Sequence, residues 1–257
     1  MPAIFETALQ RCKSSGRKCL IPYVMGGMDE DWTKVLAALA ASGADAVEVG
    51  IPFSDPMMDG PTIQDASLQA LGRGTTPSEV LSGIRSADIS VPVALMTYYN
   101  VVFRFGHLRM ARSMADSGVS AAIIPDLCLE EIDPWAEQAH LAGIETILLV
   151  APSTPDSRMQ AICERAQGFI YVVARMGVTG ERSDSPEQAK SLVESVRRFS
   201  DLPVCVGIGV STPQQAAEVC SVADGVIVGS ALVRRLLDNA GVDAASEFIG
   251  QIRAAID

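Results

Sequence analysis

Two acids in this sequence sit where acids are uncommon. Glu48 lies between Val47 and Val49 in a short apolar run, where a buried strand is expected. The run breaks at Gly50, and a loop rich in Pro, Ser and Asp follows, ending in a second acid, Asp59, before Gly60. A carboxylate on a strand and another on the adjoining loop form a pair able to share proton transfer with one substrate. The plainer reading has Glu48 paired with a Lys or Arg and Asp59 serving as a turn residue.

Three glycine stretches form a second set: Gly177-Val-Thr-Gly180, Gly207-Ile-Gly209 and Gly229-Ser230. Glycine lets backbone N–H groups approach phosphate oxygens, and a helix starting there adds a favourable dipole. Gly229-Ser230 opens such a helix, with the Ser230 hydroxyl as a further donor. The alternative is that these glycines only make tight turns. Arg234 and Arg235, one turn into that helix, are expected to face solvent.

The elements that must position these residues repeat. Short β-branched runs begin near Leu20, Ala46, Val91, Ala121, Ile144, Phe169, Val204 and Gly225, with helix-like segments between them. Helix one is expected over Asp31 to Ser42, with Gly43 as its stop. Thr76-Pro77, Thr154-Pro155, Ser185-Pro186 and Thr212-Pro213 read as caps before a first-turn proline. Glu79, Gln188 and Gln215 stand where a capping box requires them. Eight strands with crossover helices predict a closed (β/α)8 barrel of the α/β class, which typically takes about 250 residues. Two pieces stand outside the repeat: an N-terminal helix from Met1 to Ser15, with Ile4, Phe5, Ala8 and Leu9 on one side, and a helix from Pro61 to Gly72 inside the second βα loop. An open dinucleotide-binding sheet is disfavoured, because Gly207-Ile-Gly209 lacks a third glycine. In a barrel the chemistry lies at the C-terminal strand ends, where the Asp59 loop and the glycine stretches fall.

The 257 residues carry a formal charge of −11, which argues against nucleic acid and anionic membranes as partners. Apolar runs are strand-length and no signal peptide is evident, so one cytoplasmic domain, 1–257, is expected. Six scattered cysteines and two histidines, His107 and His140, form no zinc pattern and no metal is expected. Several of the cysteines lie in apolar stretches, such as Cys205 between Val204 and Val206, and are read as small reduced core residues.

Glu48-Val-Gly-Ile-Pro-Phe-Ser-Asp-Pro-Met-Met-Asp-Gly-Pro61, followed by Ile63-Gln64, resembles the signature of the tryptophan synthase alpha chain family. The glycine stretches reinforce the likeness in order and spacing, and it extends over essentially the whole chain. The resemblance implies a TIM-barrel lyase cleaving indole-3-glycerol phosphate to indole and glyceraldehyde 3-phosphate. It implies a complex with a pyridoxal-phosphate (PLP) beta chain, an α2β2 heterotetramer, and no cofactor in this chain. The family's catalytic acids fall on Glu48 and Asp59, and its phosphate donors on Gly180, Gly209, Gly229 and Ser230. Thr179 matches a threonine on the loop after strand six, and Tyr171 a tyrosine beside the catalytic Glu. Asp55 matches a contact to the beta chain. This chain departs from the family at Met58, where Ala is usual, at Met176, where Ser is usual, and over Val24-Met-Gly-Gly-Met-Asp29.

The implied reaction is a retro-aldol cleavage. Indole leaves more readily once its C3 is protonated. Asp59 is the carboxylate to stabilise and take the ring N–H; Glu48 is the acid that gives a proton to C3 and accepts one from the glycerol hydroxyl. Burial on a strand raises a Glu pKa towards neutrality, which suits both tasks. Two further readings share the same residues: a stand-alone lyase releasing free indole, and a non-catalytic subunit that binds the substrate and switches a partner.

Overall fold

The computed structural model describes residues 3–173, 186–207 and 209–257. The chain opens with α1 (Ile4–Ser14) and β1 (Cys19–Met25), then α2 (Trp32–Ala41), β2 (Val47–Gly50), α3 (Pro61–Gly72), α4 (Pro77–Ser86) and β3 (Val93–Met96). It continues through α5 (Tyr99–Phe105), α6 (His107–Asp116), β4 (Val119–Ile123), α7 (Asp133–Ala142), β5 (Glu145–Val150), α8 (Asp156–Arg165) and β6 (Ile170–Val173). The last part holds α9 (Pro186–Val196), β7 (Val204–Gly207), α10 (Pro213–Cys220), β8 (Gly225–Val228), α11 (Ser230–Leu237) and α12 (Gly241–Ile256). The eight strands pair in parallel in sequence order and close, β8 against β1. The barrel, the N-terminal helix and the helix over Pro61–Gly72 all form as the sequence predicts.

Alternation divides each strand. Val47 and Val49 pack outward against the helices, in the same apolar layer as Val35, Leu36 and Leu39 of α2. Residues of the other parity, including Cys19, Ile21, Ala46, Ala94, Ala121, Ile123, Ile147, Phe169, Cys205 and Ile227, fill the inside of the barrel. All-parallel strands buried on both faces need this two-sided apolarity.

The N-terminal helix closes the lower end. Phe5 and Leu9 join the inner cluster, and Phe5 stacks on Phe169 with ring centroids 5.9 Å apart. Ile4, expected on the same side, is instead 54% exposed. Ala3 provides no side-chain cap, but the Glu145 carboxylate at the start of β5 accepts from the N–H groups of Phe5 and Glu6 at 2.7 and 2.8 Å. It thereby satisfies two of the helix's orphan donors.

The caps divide. Thr76 and Glu79 form a reciprocal capping box at α4. Thr212 accepts from Gln215 N at α10, but the Gln215 side chain reaches past it to Ser211 N. Thr154 does not cap α8: its hydroxyl accepts from Ala151 N at 3.0 Å, and Pro155 takes the N-cap position. Ser185 lies outside the described residues. All six cysteines are free thiols; Cys205 is buried as expected, with Cys19, Cys163 and Cys220, and Cys128 is exposed. Among the described residues no helix is long and apolar enough to cross a membrane.

Candidate active site

Glu48 projects into the barrel. It pairs in register with Tyr23 of β1 and Ala94 of β3, and Ala94 belongs to the inner cluster. The residue is 1% exposed, and among the described residues its Oε2 has no hydrogen-bond partner. Burial, and then the charge of Asp59, push its carboxyl up to about 8. At neutral pH Glu48 is therefore an acid holding its proton, close to the point of release. Among the described residues no Lys or Arg pairs with it, so the plain ion-pair reading finds no partner there.

Asp59 is held by a loop with three attachments. Ser67 of α3 donates to Phe53 O and accepts from Phe53 N, both at 2.8 Å. Gln64 Nε2 donates to Asp59 O at 2.8 Å. Tyr98, just after β3, accepts from Met58 N at 2.9 Å and donates to Asp59 Oδ2 at 3.1 Å. The Tyr98 ring also stacks on Phe53, centroids 5.0 Å apart. Burial raises the Asp59 carboxyl to about 6, against the lowering effect of the Tyr98 hydrogen bond. The two acids are thus separated in proton affinity, with Asp59 the more readily ionised. Tyr98 has no role in the sequence reading; its place directly after a barrel strand was the available signal.

Two tyrosines line the barrel beside Glu48, each crossing a glycine. A Cβ at Gly50 would lie 2.0 Å from Tyr23 Oη, and one at Gly207 would lie 2.8 Å from Tyr171 Oη. Both phenols are pushed well above their ordinary value, by burial first and then by the carboxylates of Glu48 and Asp59. Tyr171, on β6, is thus placed inside the barrel with its hydroxyl over Gly207.

At the other end, Gly229 is the N-cap of α11, with Ser230 exposed at the first helical position and no side chain capping the helix. Gly209, in the loop after β7, has φ +61°, a conformation that favours glycine. The first N–H groups of α11 are available to an anion. Tyr23 connects this end to the acids, since a Cβ at Gly229 would lie 3.7 Å from Tyr23 Cβ. Thr179, Gly180 and Met176 lie outside the described residues.

Arg234 is exposed as expected, whereas Arg235 is half-buried, and both make contacts. Arg234 donates to Thr62 Oγ1 and pairs with Asp65 of α3, both at 3.1 Å, joining α11 to the helix that follows Asp59. Arg235 lies over the Phe248 ring, 3.7 Å from its centroid. Asp55 is exposed and accepts from Ser54 Oγ at 2.5 Å. Met57 and Met58 beside it are 73% and 59% exposed, and Phe103 of α5 is 65% exposed. No group of three or more His, Cys, Asp or Glu among the described residues is placed to hold a metal ion.

Comparison with known proteins agrees with this geometry. A family profile described as "Tryptophan synthase alpha chain" matches residues 9–252. A relative described as tryptophan synthase alpha chain from Thermobifida fusca is 42% identical over 259 residues, covering 98% of this chain and 96% of its own. A solved structure of Mycobacterium tuberculosis tryptophan synthase superposes with a TM-score of 0.91 at 38% identity, covering 98% of this chain and 97% of that one. The tryptophan synthase subunit alpha of Legionella pneumophila superposes with a TM-score of 0.90 at 32% identity, covering 100% and 99%.

Proposed function

The chain belongs to the tryptophan synthase alpha chain family, and from that premise we propose how its residues carry out the family's lyase reaction in tryptophan biosynthesis, the cleavage of indole-3-glycerol phosphate to indole and glyceraldehyde 3-phosphate. Glu48 gives its proton to C3 of the indole ring. Positive charge then spreads to the ring nitrogen, where the Asp59 carboxylate stabilises the N–H. The Glu48 carboxylate next takes the proton of the hydroxyl on the carbon attached to C3. The bond between that carbon and C3 breaks, its electrons return to the ring, and the oxygen becomes the aldehyde of glyceraldehyde 3-phosphate. One proton has gone out from Glu48 and one has come back, so the residue is ready for the next turnover.

The observation that carries this reading is a buried Glu48 with an unpartnered Oε2, paired with an Asp59 of lower pKa. An acid that must both donate and accept near neutrality needs such a setting. Gly209, Gly229 and Ser230 bind the phosphate, together with Thr179 and Gly180 of the loop after β6. Anchored there, the substrate is oriented so that binding energy acts on the reacting bond. Tyr171 packs against the substrate beside Glu48.

The partner is a PLP-dependent beta chain in an α2β2 assembly, and this chain, a single cytoplasmic lyase domain over 1–257, carries no cofactor of its own. Asp55, Met57 and Met58 form part of the contact, with Phe103 on the adjoining helix. Exposed apolar side chains grouped in this way are expected at a protein interface. The loop holding Asp59 is then also the loop touching the partner, which gives the complex a route to the catalytic acid.

The test is indole release from indole-3-glycerol phosphate by the full chain, with and without the beta chain. Release accelerated by the beta chain is expected. Equally fast release by the isolated chain would favour a stand-alone lyase, and no release in either case would leave a substrate-binding subunit.

A further inference from the structure

Tyr23 is a third protic group at the reacting centre. Resting on the reading above, we propose that the Tyr23 hydroxyl is a catalytic hydrogen-bond donor to the substrate hydroxyl that Glu48 deprotonates.

The Tyr23 ring runs from the phosphate end of the site to the acid. At its root, a Cβ on Gly229 would lie 3.7 Å from Tyr23 Cβ and 3.9 Å from Cγ and Cδ1. At its tip, a Cβ on Gly50 would lie 2.0 Å from Oη and 2.7 Å from Cζ. Gly50 is two residues beyond Glu48 on the same strand, and Tyr23 is the β1 residue in register with Glu48. The side chain therefore lies along the path that the three-carbon chain of the substrate must take between its phosphate and its indole ring.

The hydroxyl makes a weak contact. Its polar contact is the Met25 thioether at 3.9 Å, a weak acceptor. On its register partner Glu48, Oε2 has no partner among the described residues. A donor and an acceptor on residues in register inside the barrel suit a ligand group that can both donate and accept. A substrate hydroxyl does so, giving its proton to Glu48 and accepting from Tyr23. As that proton leaves, negative charge grows on the oxygen before the aldehyde forms, and a donor already in place stabilises it. Tyr23 keeps its own proton throughout: burial, then the charges of Asp59 and Glu48, raise the phenol well above its ordinary value.

The test is Tyr23→Phe in the full chain assayed with its beta chain, which keeps the ring and removes only the hydroxyl. Expected is a kcat lower by about 10- to 100-fold with KM within about twofold. The second measurement is affinity for 3-(indol-3-yl)propyl phosphate, the substrate analogue without glycerol hydroxyls. Affinity within twofold of wild type is expected, which also shows that the variant folds with its site intact. A kcat within twofold of wild type overturns the inference, as does an equal loss of affinity for the analogue, since either leaves the ring alone important. A wild-type enzyme that releases no indole overturns the family reaction and this inference with it; an active wild type with an unaffected variant overturns only the inference.

Discussion

Replacing Glu48 with glutamine separates the stability of the barrel from its chemistry. The Glu48 carboxyl is raised from 4.5 to about 8, chiefly by burial. The unfolded chain loses this proton near 4.5 and the folded chain near 8, so between those values the folded state binds more protons. Stability therefore falls as pH rises through that window and levels off above it. At about 1.4 kcal/mol per pH unit, the full cost of the ionised group is about 5 kcal/mol. Glutamine has no proton to lose, so this fall disappears. Its amide does place N–H donors where Oε2 has no partner, at a cost of about 1–3 kcal/mol at every pH. Glu48→Gln should thus be less stable than wild type by about 1–3 kcal/mol near pH 5, and more stable by about 2–4 kcal/mol above pH 8. Urea unfolding at several pH values, with the m-value checked for constancy, measures the crossing. The same variant should lose about 100- to 10,000-fold in indole release. A stability difference that stays constant across pH would refute the buried, proton-holding Glu48, and near-wild-type turnover would refute its catalytic role.

The second acid and the phosphate end give further tests. Wild-type kcat/KM should rise with pH as Asp59 ionises near 6 and fall as Glu48 loses its proton near 8, the two limbs belonging to the coupled pair. Asp59→Asn should lower turnover at least about 100-fold and remove the rising limb from the residual activity. Tyr98→Phe deletes the bond that holds the Asp59 pKa down, so the rising limb should move to higher pH; an unmoved limb would count against the Tyr98 contact. Ser230→Asp places a carboxylate where the substrate phosphate binds. It should raise KM at least about tenfold while the fold stays intact, because an anion is favourable at a helix N-terminus. An unchanged KM would place the phosphate elsewhere.

The parts of this molecule legible in its sequence are those governed by local chemistry. Glu48 stood out because an acid between two valines in a strand is costly wherever the strand ends up. The barrel stood out because each strand, loop and helix repeats the same short-range pattern. What escaped notice depends on contacts between distant residues. Tyr98 reaches Asp59 across 39 positions, and Glu145 caps α1 across 140. Tyr23 meets Gly50 only because β1 and β2 lie side by side. Thr154 misled for a related reason: its sequence suits a cap, but its hydroxyl satisfies Ala151 N instead. The side chains of Arg234 and Arg235 found an aspartate and a ring that the helix pattern alone does not reveal.

The strongest argument for the acid pair comes from other acids in the same fold. Glu145 and Asp224 are buried acids too, at 5% and 8% exposure. Each is supplied with donors. Glu145 accepts from two helix N–H groups. Asp224 accepts from Val204 N and Arg197, both at 3.0 Å. Asp45, partly buried, accepts from Leu20 N at 2.8 Å and from Arg17 and Arg253, both at 3.0 Å. All three sit at the N-terminal ends of the strands, where conservation of the fold is the task. Glu48 lies within β2 rather than before or at the start of its strand, and among the described residues it has an oxygen without a partner and no cation beside it. A barrel that satisfies its structural carboxylates so thoroughly has no structural reason to leave this one unmet. The unmet oxygen suits a proton donor, since each hydrogen-bond donor aimed at it would favour the ionised form and lower its pKa.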